Sequence, residues 1–177
     1  MSRVSLQTQN APAASQPLLA QIQQVFDATP NMFKAVANSP AALQSMWGAF
    51  GALGKGKLGA KLGEQIAVAI ANRNRCEYCL AAHTVLGQKA GASAADMSAA
   101  QVGLSTDGKT DAALTFALKV VEHRAQLNDA DVANLREAGF DDEQIVELLA
   151  HVALNLFTNY INVALDVPLD FPRVALK

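Results

Sequence analysis

Residues 64–83 read Glu64-Gln65-Ile66-Ala67-Val68-Ala69-Ile70-Ala71-Asn72-Arg73-Asn74-Arg75-Cys76-Glu77-Tyr78-Cys79-Leu80-Ala81-Ala82-His83. From Ile66 to Ala71 the run is apolar nearly all round, which marks a helix at the centre of a core. Asn72 to Arg75 interrupts it, and a second helical run continues through Val85 and Leu86 to Gly91, so a bend is expected between the two. The chain's two cysteines lie three apart, with His83 four residues beyond the second. On a helix, positions i, i+3 and i+7 fall along one face, so two sulfurs and an imidazole line a single stripe.

The flanking sequence has the same period. Pro17 opens a first helix with Leu18, Leu19, Ile22 and Phe26 on its buried side, ending near Ala28. Thr29-Pro30 and Ser39-Pro40 each read as an N-cap followed by a first-turn proline, opening helices that carry Met32, Phe33 and Val36, then Leu43, Met46, Trp47 and Phe50. Gly54 to Gly63, with Lys55, Lys57 and Lys61, reads as a loop. It has no G-x-x-x-x-G-K-[ST] match and so is not a phosphate cradle. Ser93 with Asp96, Asn128 with Asp131 and Asp141 with Gln144 are capping pairs for three later helices, and Gly139 terminates the second of these in the left-handed conformation. Between them runs a long helix whose apolar face includes Leu114, Phe116, Ala117 and Val120. Pro168 and Pro172 end regular structure.

The fold class expected is therefore all-α, one domain over 16–177 preceded by a mobile arm over 1–15. A composition 51% hydrophobic but only 6% aromatic, rich in alanine and leucine, favours closely packed helices over a β-sandwich. Glu64-Gln65-Ile66 recurs as Glu143-Gln144-Ile145 at an offset of 79, which allows two degenerate helical half-repeats. Under that offset Cys76, Cys79 and His83 fall on Asn155, Thr158 and Asn162.

Fourteen basic against sixteen acidic side chains leave a net charge of -2, so the long-range positive field that draws nucleic acid or an anionic membrane is not expected. No stretch approaches the roughly 18 apolar residues of a membrane span. The first 24 residues are polar and lack an apolar run, so no secretory signal is expected and the chain is placed in the cytoplasm. In that reducing setting, Cys-x-x-Cys points to catalysis, redox cycling or metal binding rather than a permanent staple.

A thiol reacts as its thiolate, and an unperturbed cysteine has a pKa of roughly 8.5, so a reactive one needs a local stabiliser. A helix N-terminus near Cys76, the cations Arg73 and Arg75, and His83 are all within sequence reach. If one sulfur attacks a peroxide oxygen, the other condenses with the resulting sulfenic acid before further oxidation. The helix N-terminus favours Cys76 as the attacker, whereas the i,i+4 relation to His83 favours Cys79. Glu64 is roughly 18 Å from Cys76 on one straight helix and joins the site only if the break folds the chain back or another segment or subunit supplies the contact. Zinc held by Cys76, Cys79, His83 and Glu64 competes, but structural zinc sites draw paired ligands from two segments and no second Cys or His pair stands elsewhere. His123 and His151 read as isolated surface or satisfied histidines, Trp47 as core or interface, and Asn159 and Asn162 as helix-packing asparagines, with a hydrogen bond to an active-site water as the alternative.

The motif resembles that of the AhpD-like alkylhydroperoxidases in the carboxymuconolactone decarboxylase superfamily: a glutamate, eleven residues, then Cys-x-His-Cys-x-x-x-His. Glu64, Cys76, Cys79 and His83 stand in that register, and the tail from Phe157-Thr158-Asn159-Tyr160 through Asp170-Phe171-Pro172 is similar to peroxidase-related members. The resemblance implies that Cys79 attacks, Cys76 resolves, His83 deprotonates and Glu64 relays the proton. Tyr78 stands where AhpD has histidine. A phenol, with a pKa of roughly 10, donates a hydrogen bond but does not shuttle protons near neutrality, and is expected to hold a water or the peroxide. The resemblance also implies a helical fold, a hydroperoxide substrate (hydrogen peroxide or a small organic one), no cofactor, a dithiol or lipoyl-type reductant protein and a homo-oligomer, trimer or hexamer. The decarboxylase branch lacks the cysteine pair, so that activity is not expected. The competing reading is a non-enzymatic thiol redox sensor or helical interaction protein.

Overall fold

The computed structural model describes residues 2–177 and, among them, contains nine α-helices and no strand. None of these helices is long and apolar enough to cross a membrane. The central one is α4, Ala60–Arg73, whose residues Gln65 to Ala71 are all buried. It packs against α5 (Glu77–Lys89), α6 (Ala94–Ala100), α7 (Gly108–Glu122) and α9 (Asp142–Ala164). The helix that is apolar all round is thus the one enclosed on several sides. α1 (Gln16–Phe26), α2 (Asn31–Val36) and α3 (Pro40–Leu53) form an aromatic layer whose α2 and α3 pack on α9, with Phe33 edge-on to Trp47 at 5.7 Å and to Phe50 at 6.0 Å. α8 (Asp129–Glu137) packs on α7.

The bend between α4 and α5 has a specific cause. Arg75 adopts a left-handed φ of 57°, its N–H donates to Asn72 O at 3.1 Å and the Cys76 N–H to Ala71 O at 2.9 Å. These are the two bonds of a Schellman stop, made here with arginine where glycine is usual. Cys76 is at once the residue after that stop and the N-cap of α5. The chain therefore reverses, and α5 returns along α4. Gly87 makes the close approach possible, because a Cβ there would collide with the Met97 side chain and crowd the Cβ of Glu64.

The three capping boxes form as expected at Ser93, Asn128 and Asp141, and Gly139 is left-handed at φ 86°. Three details differ from the sequence reading. α4 begins at Ala60, a turn earlier than Glu64, because Gly59 at φ 77° turns the chain directly into the helix. Pro30 is itself the N-cap of α2, and Thr29 instead donates to Gln23. The Glu-Gln-Ile correspondence does not extend to shape, since the first copy lies inside α4 and breaks at Arg75 whereas the second opens an unbroken 23-residue helix.

Both ends of the chain lie against this body. In the segment read as an arm, Arg3 N–H donates to Leu165 O, Gln7 N–H to Lys34 O, and the fully buried Ser15 hydroxyl to Ala37 O. Met1 lies outside the described residues. The tail after α9 crosses the α4–α5 junction: Asn31 bonds Pro168 O, Arg173 pairs with Glu77, and Asn72 bonds both the N–H and the carbonyl of Lys177.

Candidate active site

Cys76 and Cys79 are joined as a disulfide, both almost fully buried, with Cα atoms 5.3 Å apart. The Cys79 N–H, in the first turn of α5, donates to Cys76 Sγ at 3.2 Å and favours negative charge on that sulfur when the pair is reduced. Cys79 looks the other way, into a pocket of about 50 Å³ walled by Phe26, Phe33, Phe50 and Phe171 together with Met32 and Leu86. His83, one turn after Cys79, lines the same pocket.

The α4–α5 reversal brings Glu64 to His83, where Oε2 lies 2.7 Å from Nδ1. A carboxylate only accepts, so Nδ1 carries the proton and Nε2 carries the lone pair. In the neutral ring, Glu64 thereby fixes the Nδ1–H tautomer. The three helix-borne residues Cys76, Cys79 and His83 are thus brought together with Glu64, the fourth. Tyr78 lines the pocket but its hydroxyl is engaged elsewhere: it donates to Asp170 Oδ2 at 2.6 Å and accepts from the Met32 N–H at 3.3 Å. Burial and then the Asp170 hydrogen bond hold the phenol well above its ordinary pKa range. Asp170 also accepts from the Asn31 N–H, so Tyr78 ties the tail and the start of α2 to the roof of the pocket. Arg73, counted in the sequence as a cation beside the cysteines, turns instead to Glu122 on α7. Arg75 remains next to Cys76, on the wall of a polar groove.

α9 supplies residues that the sequence reading set aside. Asn162 donates from Nδ2 to Cys79 Sγ at 3.3 Å, and Thr158 lines the pocket. On the far side of His83 a second pocket, about 190 Å³, is bordered by Glu64, His83, Asn155 and His151. His151 fits there because position 63 is glycine, whose Cβ would stand 3.2 Å from the ring. The 79-residue offset was the one signal for Thr158 and Asn162; nothing local to His151 pointed to the site. Among the described residues no three or more His, Cys, Asp or Glu side chains form a metal-ligand group.

Burial lowers the pKa of His151, against the opposing pull of Glu147 and Glu64 and with a smaller contribution from His83 in the same direction. The folded chain therefore resists a proton that the unfolded chain takes up below about pH 6.5. Stability contributed by the neutral ring is present above that pH and lost as pH falls through it. Thermal melts from pH 7.5 to 5 are expected to show a steeper fall in Tm for wild type than for His151→Gln, and parallel curves would remove this role.

The geometry defines a helical protein with a Cys-x-x-Cys disulfide one turn from a hydrogen-bonded Glu64–His83 pair. The model of the carboxymuconolactone decarboxylase family matches residues 40–123, which include the whole Glu64–His83 motif. A peroxidase-related protein from Ralstonia eutropha JMP134, described as an alkylhydroperoxidase AhpD core, is 25% identical with a TM-score of 0.87, over 96% of this chain and 92% of its own. A peroxidase-related protein from Silicibacter sp. TM1040 is 23% identical with a TM-score of 0.82, over 98% and 92%. A cysteine-to-alanine variant of the debrominase Bmp8, in complex with 2,3,4-tribromopyrrole, has the same fold at 20% identity and a TM-score of 0.79, over 96% and 94%. No curated protein sequence matches. Residues 40–123 thus match the carboxymuconolactone decarboxylase family, on a chain with the fold of the AhpD core.

Proposed function

We propose that this protein is a thiol-dependent hydroperoxide reductase. The observation that carries the reading is the 2.7 Å Glu64–His83 pair, whose imidazole stands one turn from Cys79 on the wall of the same apolar pocket. In the reduced protein His83 Nε2 takes the Cys79 thiol proton. The thiolate attacks the terminal oxygen of ROOH, the O–O bond breaks, and the leaving alkoxide takes the proton back from His83 as ROH. Cys79 is left as a sulfenic acid. The Cys76 sulfur then attacks Cys79 Sγ, the S–S bond forms and water leaves. Two electrons and two protons from a dithiol, free or carried as a lipoyl-type group on a partner protein, restore both thiols. A reducing compartment, the cytoplasm expected from the sequence, suits that cycle. The chemistry requires no cofactor.

A pocket of about 50 Å³ suits hydrogen peroxide or the head of a small organic hydroperoxide. A second electrophile class merits the same assay, because the pocket at Cys79 is walled by four phenylalanines and Bmp8 is a debrominase. Self-association, implied by the family, is supported by the exposed Val146, Leu149, Tyr160 and Val163, which recur at helical spacing along α9. The test is consumption of cumene hydroperoxide, hydrogen peroxide and a bromopyrrole by the reduced protein with dithiothreitol in excess. Peroxide loss well above the dithiol-only rate is expected. A rate equal to that background on both peroxides overturns the reading and moves a redox-sensing or interaction role ahead.

A further inference from the structure

Asn162 sits on α9, 83 residues from the sulfur it touches, and is only 4% exposed. Its Nδ2 donates to Cys79 Sγ at 3.3 Å. Its Oδ1, on the same carboxamide, is buried and accepts no hydrogen bond among the described residues. A buried acceptor left unpaired costs about 1–3 kcal/mol, a cost that a leucine of similar size would avoid. Neighbouring Asn159 likewise leaves one buried amide atom unpaired, its Nδ2, but its Oδ1 accepts from Asn74 at 3.0 Å, whereas Asn162 is the one whose amide bonds the Cys79 sulfur. The orientation of the Asn162 amide follows from its partner, since only the nitrogen can donate to a sulfur lone pair, here that of the disulfide and after reduction that of the thiol or thiolate.

Resting on the hydroperoxide reading above, we propose that Asn162 is a further catalytic residue: Nδ2 holds the Cys79 thiolate while Oδ1 accepts the O–H of the hydroperoxide, so that one carboxamide grips both reacting atoms. The terminal oxygen of ROOH is the one sulfur attacks, and it keeps its hydrogen. Before the step that hydrogen belongs to ROO–H; afterwards it belongs to the Cys79 sulfenic acid. The acceptor therefore serves substrate and product alike, while the proton that the departing RO⁻ needs comes from His83. No proton crosses Asn162, and the balance remains ROOH plus two thiols to ROH, water and a disulfide. An acceptor built beside the sulfur also selects for electrophiles that bring an O–H, because one lacking it leaves Oδ1 unpaired.

The two functions of the carboxamide separate by choice of electrophile. The Cys79 thiolate attacks the sulfenyl sulfur of methyl methanethiosulfonate and expels methanesulfinate, with no O–H brought to the site, so this reagent reads the Nδ2 contact alone, whereas cumene hydroperoxide reads both contacts. In the reduced full chain, Asn162→Leu is expected to slow hydroperoxide reaction about 10- to 100-fold and methanethiosulfonate reaction severalfold less. Asn162→Asp, which keeps an acceptor and loses the donor, slows both and returns the ratio towards wild type. Asn162→Ala removes atoms only and keeps the comparison open should the leucine variant not fold. Equal losses on the two electrophiles, or no loss on either, overturn the proposal. A wild-type chain that fails to consume hydroperoxide above background overturns the parent reading instead, and is seen before any variant is made.

Discussion

Cys79→Ser is expected to reduce hydroperoxide turnover to the dithiol-only background, a loss on the order of 10⁴-fold or more, as for removal of other catalytic nucleophiles. Cys79 faces the apolar pocket with His83, and the hydroxyl that replaces its sulfur does not ionise near neutrality or attack a peroxide oxygen at a useful rate. Cys76→Ser gives a different result. Its partner sulfur still attacks once, so each reduced chain is expected to consume one equivalent of hydroperoxide and stop as a sulfenic acid, trapped by dimedone and detected by intact mass. Excess peroxide then carries that sulfur to the sulfinic state. The asymmetry distinguishes attacker from resolver, an assignment that the sequence spacing alone left open. If Cys76→Ser is the dead variant and Cys79→Ser the single-turnover one, the roles are reversed and the α5 N-terminus outweighs the histidine.

Removing the base has the next largest effect. His83→Gln is expected to lower the rate at pH 7 by about 10²- to 10⁴-fold, the usual worth of a positioned acid–base group. Because the thiol can still ionise alone, the deficit should narrow as pH rises towards the ordinary cysteine value of roughly 8.5, with the rate climbing close to tenfold per pH unit below it. Glu64→Gln keeps an acceptor for Nδ1–H but removes the negative charge that supports the imidazolium, so a smaller loss, on the order of tenfold, is expected at the same pH. Initial rates from pH 6 to 9.5 check both. A His83→Gln profile parallel to wild type would mean that Cys79 is ionised by something other than His83.

Most of what was encoded locally was legible. The buried run Ile66 to Ala71, the capping boxes and the placement of two sulfurs and an imidazole on one helix follow from short-range periodicity and from hydrogen bonds spanning three or four residues. Glu64 was legible as a candidate, but its arrival depended on a left-handed turn at Arg75, where glycine would have announced the stop and arginine does not. The contacts that α9 and the tail make with the site were not legible, for a plainer reason. Asn162 reaches Cys79 across 83 residues and Tyr78 reaches Asp170 across 92, and such pairings are set by how helices stack. Tyr78 shows the limit of reading by register: it occupies the place of a family histidine, yet its hydroxyl fastens the pocket roof. His151 is the converse, a histidine with no sequence signal that packing on Gly63 carries to the site.

The most direct test of the central claim is a single turnover. Fully reduced protein is mixed with one equivalent of cumene hydroperoxide in the absence of any other thiol, and free thiols, disulfide and cumyl alcohol are quantified on the same samples. One alcohol formed, two thiols lost and one Cys76–Cys79 disulfide gained per chain, faster than an equal concentration of dithiothreitol reacts, is the expected result. Thiols that survive, or that disappear no faster than the free dithiol, would contradict it.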